Sequence, residues 1–558
     1  MLKKLLTPQW VARIVGLVGA VTLLSAVLPA FHDRARIIAG IVPPVFPAAA
    51  TTGAAAVGVI LMVLSRGLRR GKFRAWLLAA VLSALTTVLH VVKGLDVEEA
   101  VLSGAVFALL LASRRSFTAR PDPRSMRRVA TVLVMGTALA TLLGWVWLTV
   151  DRDGEAPGTT SVDRLEQAFL GLLGIPGPVR YSAGLDAAAA VALVVLGASV
   201  LLIAVLVALQ PKAGPHPVTG PERARLQALL ARWGGIDSLS YFAQRDDRAA
   251  IFSPSGKAAI SYRVVGTVSL AGGDPLGDPE AWPGAISVWL QEAREFGWVP
   301  AVLGTSERGA EAFHRAGFDA LELGDEAILH VDEFSLEGRS MRVVRQAVAR
   351  CDRAGLKVTC HRVAELDDEM RAAVVAHADA WRDGAVERGF SMALGRLADP
   401  KDDQAVVVLS TDADGQLRGL LQLVPWGDDG LSLDVMRRDR AAENGIVEQM
   451  VTGLMAQAPS LGVRRVSLNF AVFRSVFARG ERLGAGPVLR LWRSTLLAAS
   501  RFWQIESLYR ANAKFQPVWT PRFVCFRSSA DIPRVSVAAL RAEAFLVAPG
   551  WLRRVVGD

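Results

Sequence analysis

The segment that decides the fold is Leu431-Ser-Leu-Asp-Val-Met-Arg-Arg-Asp-Arg-Ala-Ala-Glu-Asn-Gly445. Its first five residues have the composition of a short β-strand, polar residues follow, and helical periodicity runs over 446–459. A strand that leads through a polar turn into a helix is typical of an α/β sheet. Because ligands of such sheets bind beyond the carboxyl ends of strands, Asp434 and Arg437 are candidate site residues.

The same strand–turn–helix pattern occurs earlier in the chain. A strand over 299–303 leads into Glu307-Arg-Gly-Ala-Glu-Ala-Phe-His-Arg-Ala-Gly-Phe318, and another strand is predicted at 327–331. Residues 211–558 are numerous enough for two α/β domains. The predicted organisation is a membrane domain (1–210), a Pro/Gly-rich linker (211–220), a first α/β domain (221–337), and a second one with a connecting helix and a basic C-terminal segment (338–558).

The N-terminal part of the chain has the composition of a membrane domain. The 558 residues are 52% hydrophobic and only 21% charged, and the mean hydropathy is +0.33. A helix needs about 20 apolar residues to cross a bilayer. Six stretches predict six membrane-spanning helices: 10–31, 37–64, 75–92, 97–113, 129–150 and 185–209.

The charges between these stretches predict the orientation. Basic residues are concentrated in the N-terminal segment, in 66–74 and in 114–128, whereas 96–99 and 151–166 are net acidic. Basic loops stay in the cytoplasm, so we expect a multi-pass protein of the bacterial inner membrane whose N-terminus and C-terminal catalytic domain are both cytoplasmic. Three cysteines without a CxxC spacing exclude a disulfide framework and argue against a zinc site.

Several longer motifs lie in the α/β part. They are Gly272-Gly-Asp-Pro-Leu-Gly277, Glu387-Arg-Gly-Phe-Ser-Met-Ala-Leu-Gly-Arg396, Ser432-Leu-Asp-Val-Met-Arg-Arg438, Ser467-Leu-Asn-Phe-Ala-Val-Phe-Arg474, and Ser507-Leu-Tyr-Arg-Ala-Asn-Ala-Lys-Phe515 with Pro517, Trp519 and Arg522. Together they resemble the lysylphosphatidylglycerol synthase family, the bacterial multiple peptide resistance factors, over about 220–528. Each half also resembles a GCN5-type acyltransferase in its order of strands and helices.

This resemblance implies a function. Tandem GCN5-like domains of the family move an aminoacyl group from a charged tRNA to the glycerol hydroxyl of phosphatidylglycerol, which gives a cationic lipid and resistance to cationic peptides. The C-terminal motif is most similar to relatives that carry a fused lysyl-tRNA synthetase, so lysyl is the expected group. Since the sequence ends at Asp558, we expect a separate synthetase to supply the tRNA.

The expected chemistry needs no cofactor and no metal. Exchange of one aminoacyl ester for another is nearly isoenergetic, so the enzyme supplies positioning, a proton acceptor and stabilisation of an oxyanion. Neither half contains a recognisable Gly-rich loop of the kind that binds the pyrophosphate of coenzyme A. This argues for another acyl donor. The expected partners are aminoacyl-tRNA, phosphatidylglycerol and the bilayer, and a homo-oligomer is left open.

The resemblance also implies roles for particular residues. Asp434 and Glu387 would bind the cationic amino group, Arg437 and Lys514 would hold phosphate or the tRNA terminus, and Lys514 would stabilise the oxyanion. Lys514, Asp434 and Arg437 are thus the candidate catalytic residues. The candidate substrate-binding residues are Glu387, Arg396, Asn469, Arg474, Arg510, Asn512 and Arg522.

Other interpretations stay open at this point. Asp434 and Arg437 could form a local ion pair at a strand end, and Lys514 and Arg522 could be solvated surface charges. The same fold could use another aminoacyl donor, such as alanyl-tRNA, or another lipid acceptor. A non-catalytic membrane scaffold that binds lipid is the alternative from a different functional class.

Overall fold

The structure is a computed structural model that forms two compact units, one of residues up to Ala213 and one of most residues from Gly214 onward. It describes residues 6–27, 45–93, 97–117, 119, 123–150, 155–156, 158–180, 185–209, 217–382, 384, 387, 389–472 and 510–546.

The first unit is helical. Its helices are α1 (Pro8–Val27), α2 (Val45–Arg69), α3 (Phe73–Lys93), α4 (Val97–Ser113), α5 (Pro123–Val150), α6 (Ser161–Leu172) and α7 (Leu185–Ala208). Helices occur at all six predicted positions, but the described residues do not show six membrane spans. Within the described residues, three helices are long and apolar enough to cross a membrane: Thr51–Arg69, Met126–Val150 and Ala188–Ala208. The apolar parts of α1 and α3, Pro8–Leu24 and Phe73–Val88, are shorter.

Small residues determine how closely α1 and α2 approach. A Cβ on Gly19 would lie 2.8 Å from the Gly58 carbonyl oxygen, and a Cβ on Gly58 would lie 2.7 Å from the Gly19 carbonyl oxygen. The two backbones therefore touch at a point that no larger residue allows. Close contact through small residues is a common way of packing helices in membranes, where apolar burial against lipid gives little gain.

The second unit contains a twelve-stranded sheet with helices on its faces. The strands are β1 (Ala249–Phe252), β2 (Ala258–Val265), β3 (Val268–Gly272), β4 (Leu276–Gly277), β5 (Val299–Thr305), β6 (Asp319–His330), β7 (Lys357–Arg362), β8 (Val406–Thr411), β9 (Leu417–Trp426), β10 (Gly430–Arg438), β11 (Arg465–Val472) and β12 (Val518–Phe526). The helices are α8 (Gly220–Trp233), α9 (Trp282–Phe296), α10 (Glu307–Arg315), α11 (Arg342–Arg353), α12 (Asp368–Arg382), α13 (Ile446–Gln457) and α14 (Ile532–Ala542).

The two predicted halves share this sheet, because β12 from the second half lies between β5 and β6 of the first half. The order is β1-β2-β3-β5-β12-β6-β11-β10-β9-β8-β7, with β4 beside β2. Strand β6 of the first half pairs with β11, and β12, from the end of the chain, pairs with both β5 and β6. Trp519 and Arg522 of β12 belong to the last of the sequence motifs, and no strand was predicted there.

Alternating apolar residues allow the sheet to be covered on both faces. On β8, Val406 and Val408 pack into a core cluster with Leu454 of α13, whereas Val407 packs on the other face against Val374 of α12. Successive side chains of a strand point to opposite faces, so two sets of helices can pack on one strand. Burial of each such side chain stabilises the fold by about 1.5–3 kcal/mol.

Candidate functional site

The parallel strands β10 and β11 separate near their carboxyl ends. They pair only from Gly430–Ser432 to Arg465–Ser467. Beyond this point, β10 has an irregularity against β9 between Leu433 and Val435, and β11 has one against β6 between Ser467 and Phe470. The residues at these irregularities are Asp434, Leu468 and Asn469, so two predicted site residues lie where the strands part.

A side chain spans the gap between the two strands. The Asn469 Nδ2 donates to the Leu433 carbonyl oxygen, and Asn469 has a φ of +66°, which is uncommon for a residue with a side chain. Asn512 similarly donates to the Leu468 carbonyl oxygen at 3.2 Å. The Asn469 Oδ1 is buried and has no hydrogen-bond partner among the described residues. The gap is thus lined with amide groups, one of which has an unused acceptor.

Asp434 is partly buried beside this gap. Its Oδ1 accepts the Leu394 N–H at 2.7 Å, and its Oδ2 accepts from the Gln422 Nε2 at 2.7 Å. Burial raises the pKa of Asp434 to about 6, against the lowering effect of these two hydrogen bonds. No arginine or lysine in the described part of the chain forms an ion pair with it, so Asp434 and Arg437 do not form the local ion pair considered above.

Arg437 instead contacts Glu387. Its Nη2 lies 2.9 Å from the Glu387 Oε1, and the Glu387 Oε2 accepts from Arg382 at 3.0 Å. Glu387 therefore holds two guanidinium groups, one on each carboxylate oxygen. The Arg382 Nε is buried and has no partner among the described residues.

Lys514 lies against helix α13. Its Nζ is 2.8 Å from the Glu448 Oε1, and the Lys514 side chain keeps 39% of its exposure. Glu448 is in the first turn of α13, which follows Gly445 at a φ of +111°. Lys514 and Asn512 thus fasten one short segment both to α13 and to β11. Arg510 is exposed at the start of this segment, and Arg474 lies outside the described residues.

The motif 387–396 forms a loop that reaches Asp434. The Glu543 carboxylate accepts the N–H groups of Phe390 and Ser391, at 2.6 and 3.0 Å. Arg245 donates to the Ala393 carbonyl oxygen at 2.8 Å. These contacts fix the position of the Leu394 N–H that Asp434 accepts.

Arg396 ends this loop in a buried ion pair. Its Nε and Nη2 lie 2.6 and 2.8 Å from the two oxygens of Asp402, which also accepts from the Tyr241 hydroxyl at 3.0 Å. The Arg396 carbonyl oxygen accepts from Gln422 at 3.0 Å. The guanidinium is therefore occupied within the protein, and substrate contact by Arg396 stays a prediction.

Arg522 is buried in the first half of the sheet. Its Nη1 lies 2.6 Å from the Asp237 Oδ1, its Nη2 is 2.5 Å from the Glu326 Oε2, and Nη2 also donates to the Ser238 Oγ at 2.6 Å. Burial opposes the charged form, but Asp237 and Glu326 outweigh it and raise the pKa of Arg522. Arg522 is therefore not a solvated surface charge. It lies in the first half of the sheet, apart from the candidate residues around Asp434 in the second half.

Asp274, from the Gly-Asp-Pro motif, also lies in the first half of the sheet, near Asp237 and Arg522. Its Oδ1 accepts from the Thr305 hydroxyl at 2.6 Å and from the Ser306 N–H at 2.7 Å, and its Oδ2 accepts from the Ser306 hydroxyl at 2.5 Å. Ser306 caps the start of α10. A carboxylate of the protein itself thus occupies the position at a helix start where an anionic ligand would bind.

Sequence reasoning missed Gln422. The side chain is buried, and its amide connects Asp434, the Arg396 carbonyl oxygen and the Ala398 N–H. The available signal was a polar residue inside the apolar strand Leu420-Leu-Gln-Leu-Val424. A buried amide requires partners, so such a residue indicates a polar site within a sheet.

Two protein families match the chain. The family described as "Phosphatidylglycerol lysyltransferase, C-terminal" matches residues 227–526, and the family described as "Transmembrane region of lysyl-tRNA synthetase" matches residues 4–209. The chain is 43% identical, over 97% of its length and 50% of the relative's, to the lysylphosphatidylglycerol biosynthesis bifunctional protein LysX of Mycolicibacterium gilvum (strain PYR-GCK). It is 47% identical, over 80% of its length and 41% of the relative's, to the protein of that name in Mycobacterium sp. (strain JLS). The chain thus spans about half the length of these relatives.

A solved structure has the same fold in the second unit. The L-PGS of Bacillus licheniformis superimposes with a TM-score of 0.51 at 21% identity, over 60% of this chain and 99% of that one. The likeness shows that the second unit shares the fold of that structure.

Proposed function

Because the chain belongs to the phosphatidylglycerol lysyltransferase family, we propose that it transfers an aminoacyl group, lysyl in the first instance, from a charged tRNA to a glycerol hydroxyl of phosphatidylglycerol. The ester bond to the tRNA ribose breaks and an ester bond to the lipid glycerol forms. The glycerol hydroxyl loses a proton and the ribose hydroxyl gains one, so the reaction is balanced without a further reactant. Positioning and charge stabilisation are what the protein must supply.

The observation that carries this proposal is the carboxylate of Asp434 beside the gap between β10 and β11. Burial has raised its pKa, and no cation of the described residues neutralises it. An ammonium group that binds there would compensate the buried negative charge. Asp434 is thus our proposed ligand for the cationic amino group of the aminoacyl moiety, with Gln422 and the Leu394 N–H holding the carboxylate in place.

The amide groups of the gap would then bind the neutral parts of the substrates. Asn469 has an unused acceptor, the buried Oδ1. An N–H of the aminoacyl group or the glycerol O–H fits an acceptor of this kind. Such a bond would satisfy a polar atom whose burial otherwise costs about 1–3 kcal/mol.

The cations near the gap fit an anionic partner. Glu387 orients Arg437 and Arg382, and the Arg382 Nε is a buried donor without a partner among the described residues. We assign Arg437 to a phosphate of the tRNA terminus or of the lipid headgroup. Lys514, held by Glu448, is assigned to the oxyanion that develops at the reacting carbonyl.

The membrane unit would hold the second unit beside its lipid substrate. Three described helices are long and apolar enough to cross a bilayer, and 66–74 and 114–128 are basic. We therefore propose that the transferase unit lies on the cytoplasmic side of the bacterial inner membrane, where aminoacyl-tRNA is available. Tethering raises the effective concentration of lipid at the site.

The experiment is a transfer assay on the full chain in phosphatidylglycerol nanodiscs, with radiolabelled lysyl-tRNA supplied by a separate synthetase. We expect labelled lipid in proportion to the folded protein. Label from alanyl-tRNA in place of lysyl-tRNA would keep the reaction but overturn the lysyl assignment. If the folded chain labels no lipid from any charged tRNA, the enzyme assignment is wrong and the scaffold alternative is supported.

A further inference from the structure

One exposed face of helix α6 is mostly apolar and also carries the exposed Glu166, whereas two polar side chains of the helix are buried. Val162, Leu165, Phe169 and Leu173 are 70, 46, 47 and 67% exposed, at spacings that place them on one face. Arg164 and Gln167, on the opposite face, are buried. In water this arrangement would be inverted, since exposed faces of helices are normally polar.

The buried polar groups of α6 are satisfied within the first unit. The Arg164 Nε and Nη2 lie 2.9 Å from the two oxygens of Glu155, and the Gln167 Oε1 accepts the Val179 N–H at 3.3 Å. Asp163 forms a capping box with Thr160 at the start of the helix. Glu155 and Asp163, two acidic residues of the net acidic segment 151–166, thus form contacts within the first unit.

A groove of about 660 Å³ is lined by α5 and α6. Its lining includes Leu133 and Thr137 of α5 together with Leu165 and Phe169 of α6. The α5 surface beside it is apolar and exposed, and α5 is one of the helices long enough to cross a bilayer. By contrast, the 12 residues of α6 extend only about 18 Å, too short to cross.

We propose that α6 lies against the hydrocarbon edge of the bilayer and that the groove between α5 and α6 binds one acyl chain of a membrane lipid. The argument is continuity: the exposed apolar face of α6 extends the apolar surface that α5 presents as a membrane-spanning helix. Apolar faces of short helices bind at the membrane boundary in this way. The proposal concerns the first unit alone and is independent of the proposed transferase reaction.

The first test measures which solvent surrounds α6. A nitroxide is attached to Phe169→Cys in the full chain reconstituted in bilayers, and the labelled unsubstituted chain supplies the background of the native cysteines. Leu139→Cys, exposed on α5, is the hydrocarbon control, and Lys401→Cys, exposed on the second unit, is the aqueous control. We expect oxygen and a water-soluble nickel chelate to relax the nitroxide of Phe169→Cys to the same extent as the nitroxide of Leu139→Cys. A match to Lys401→Cys, or protection from both reagents by a second copy, would overturn the proposal.

The second test fills the groove. A phosphatidylglycerol with a photoreactive group on one acyl chain is cross-linked to the full chain, and the labelled peptides are identified by mass spectrometry. Ala138→Trp, in the groove lining, should remove most of the label from the α6 peptide. Val195→Trp, exposed on α7, should not change it. Equal labelling of α6 in both folded variants would contradict an acyl chain in the groove.

Discussion

Each half of the large sheet carries a carboxylate beside its own pair of parallel strands, but the surroundings of the two carboxylates differ. In the first half, β3 and β5 pair over Val268–Gly272 and Val299–Leu303. In the second half, β10 and β11 pair only over Gly430–Ser432 and Arg465–Ser467 before they separate. The first ladder is continuous, whereas the second ends where Asp434, Leu468 and Asn469 lie.

The carboxylates themselves show the same contrast. The pKa of Asp274 and that of Asp434 are both raised to about 6, chiefly by burial. Asp274, however, accepts three hydrogen bonds from Thr305 and Ser306, and the neighbouring Arg522 is shared by Asp237 and Glu326. A raised pKa therefore does not by itself identify a substrate site. The carboxylates of the first half bind groups of the protein itself, and we propose that Asp434 of the second half binds substrate.

The largest expected effect is on stability, in the first half. Arg522→Met removes the cation between Asp237 and Glu326 and leaves buried carboxylates without a partner. Loss of one member of a buried ion pair costs about 3–5 kcal/mol. Denaturant unfolding should report this loss, while transfer per folded molecule stays close to that of the parent. Unchanged stability together with lost transfer would assign Arg522 to the substrate site instead.

Asp434→Asn tests the second half. We expect kcat/KM for transfer to fall by a factor of roughly 30 to 5,000, since truncating one side of a buried charge contact costs about 2–5 kcal/mol. Asp428→Asn is the matched control because Asp428 is exposed in the turn before β10. Circular dichroism establishes that both variants are folded. Equal activity of the two variants would remove Asp434 from the proposed site.

The pH dependence separates activity from stability. Transfer should fall as the pH drops through about 6, approaching tenfold per pH unit, because protonated Asp434 cannot pair with an ammonium group. The stability contribution has the opposite sign. A raised carboxyl pKa means that the folded state binds more protons than the unfolded one, so this contribution grows as the pH falls from about 6 towards 4.

Rate profiles and unfolding curves between pH 5 and 7 should therefore diverge, because transfer falls with decreasing pH while this stability contribution rises. The residual activity of Asp434→Asn should lack the inflection near pH 6. If that inflection persists in the variant, another group controls the rate.

A smaller effect is expected at Lys514. Lys514→Ala removes one charged donor that Glu448 already neutralises in part, so we expect roughly a tenfold loss of kcat, the size of one hydrogen bond to a charged group. Lys514→Arg should recover part of the rate. Lys401→Ala, at an exposed lysine elsewhere in the second unit, is the control. Full activity of Lys514→Ala would exclude a role at the oxyanion.

In the second unit, the sequence predicts where strands and helices lie better than it predicts which strands pair. Helical periodicity over 446–459 corresponds to α13 (Ile446–Gln457), and the predicted strand 431–435 lies within β10. The strand exchange was not predictable, because β12 pairs with residues almost 200 positions earlier and contains Pro521, which disfavours a strand. Local patterns do not encode such distant pairing.

The candidate site was predictable to a similar extent. The motifs identified Asp434, Asn469 and Asn512, which the structure brings to the strand gap. They also included Arg396 and Arg522, whose guanidinium groups contact Asp402 and the Asp237–Glu326 pair. Sequence alone does not distinguish a cation that binds substrate from one that supports the fold, since both occur in the same motifs.

The most direct test of the contrast between the halves is lipid mass spectrometry of a host that lacks aminoacyl lipids. The host expresses the parent chain, Asp274→Asn or Asp434→Asn, with folded membrane protein quantified in each case. We predict phosphatidylglycerol heavier by one lysyl residue with the parent and with Asp274→Asn, in proportion to folded protein, and only a small fraction of that amount with Asp434→Asn. Product from folded Asp434→Asn at the parent level, or its absence with folded Asp274→Asn alone, would contradict the account.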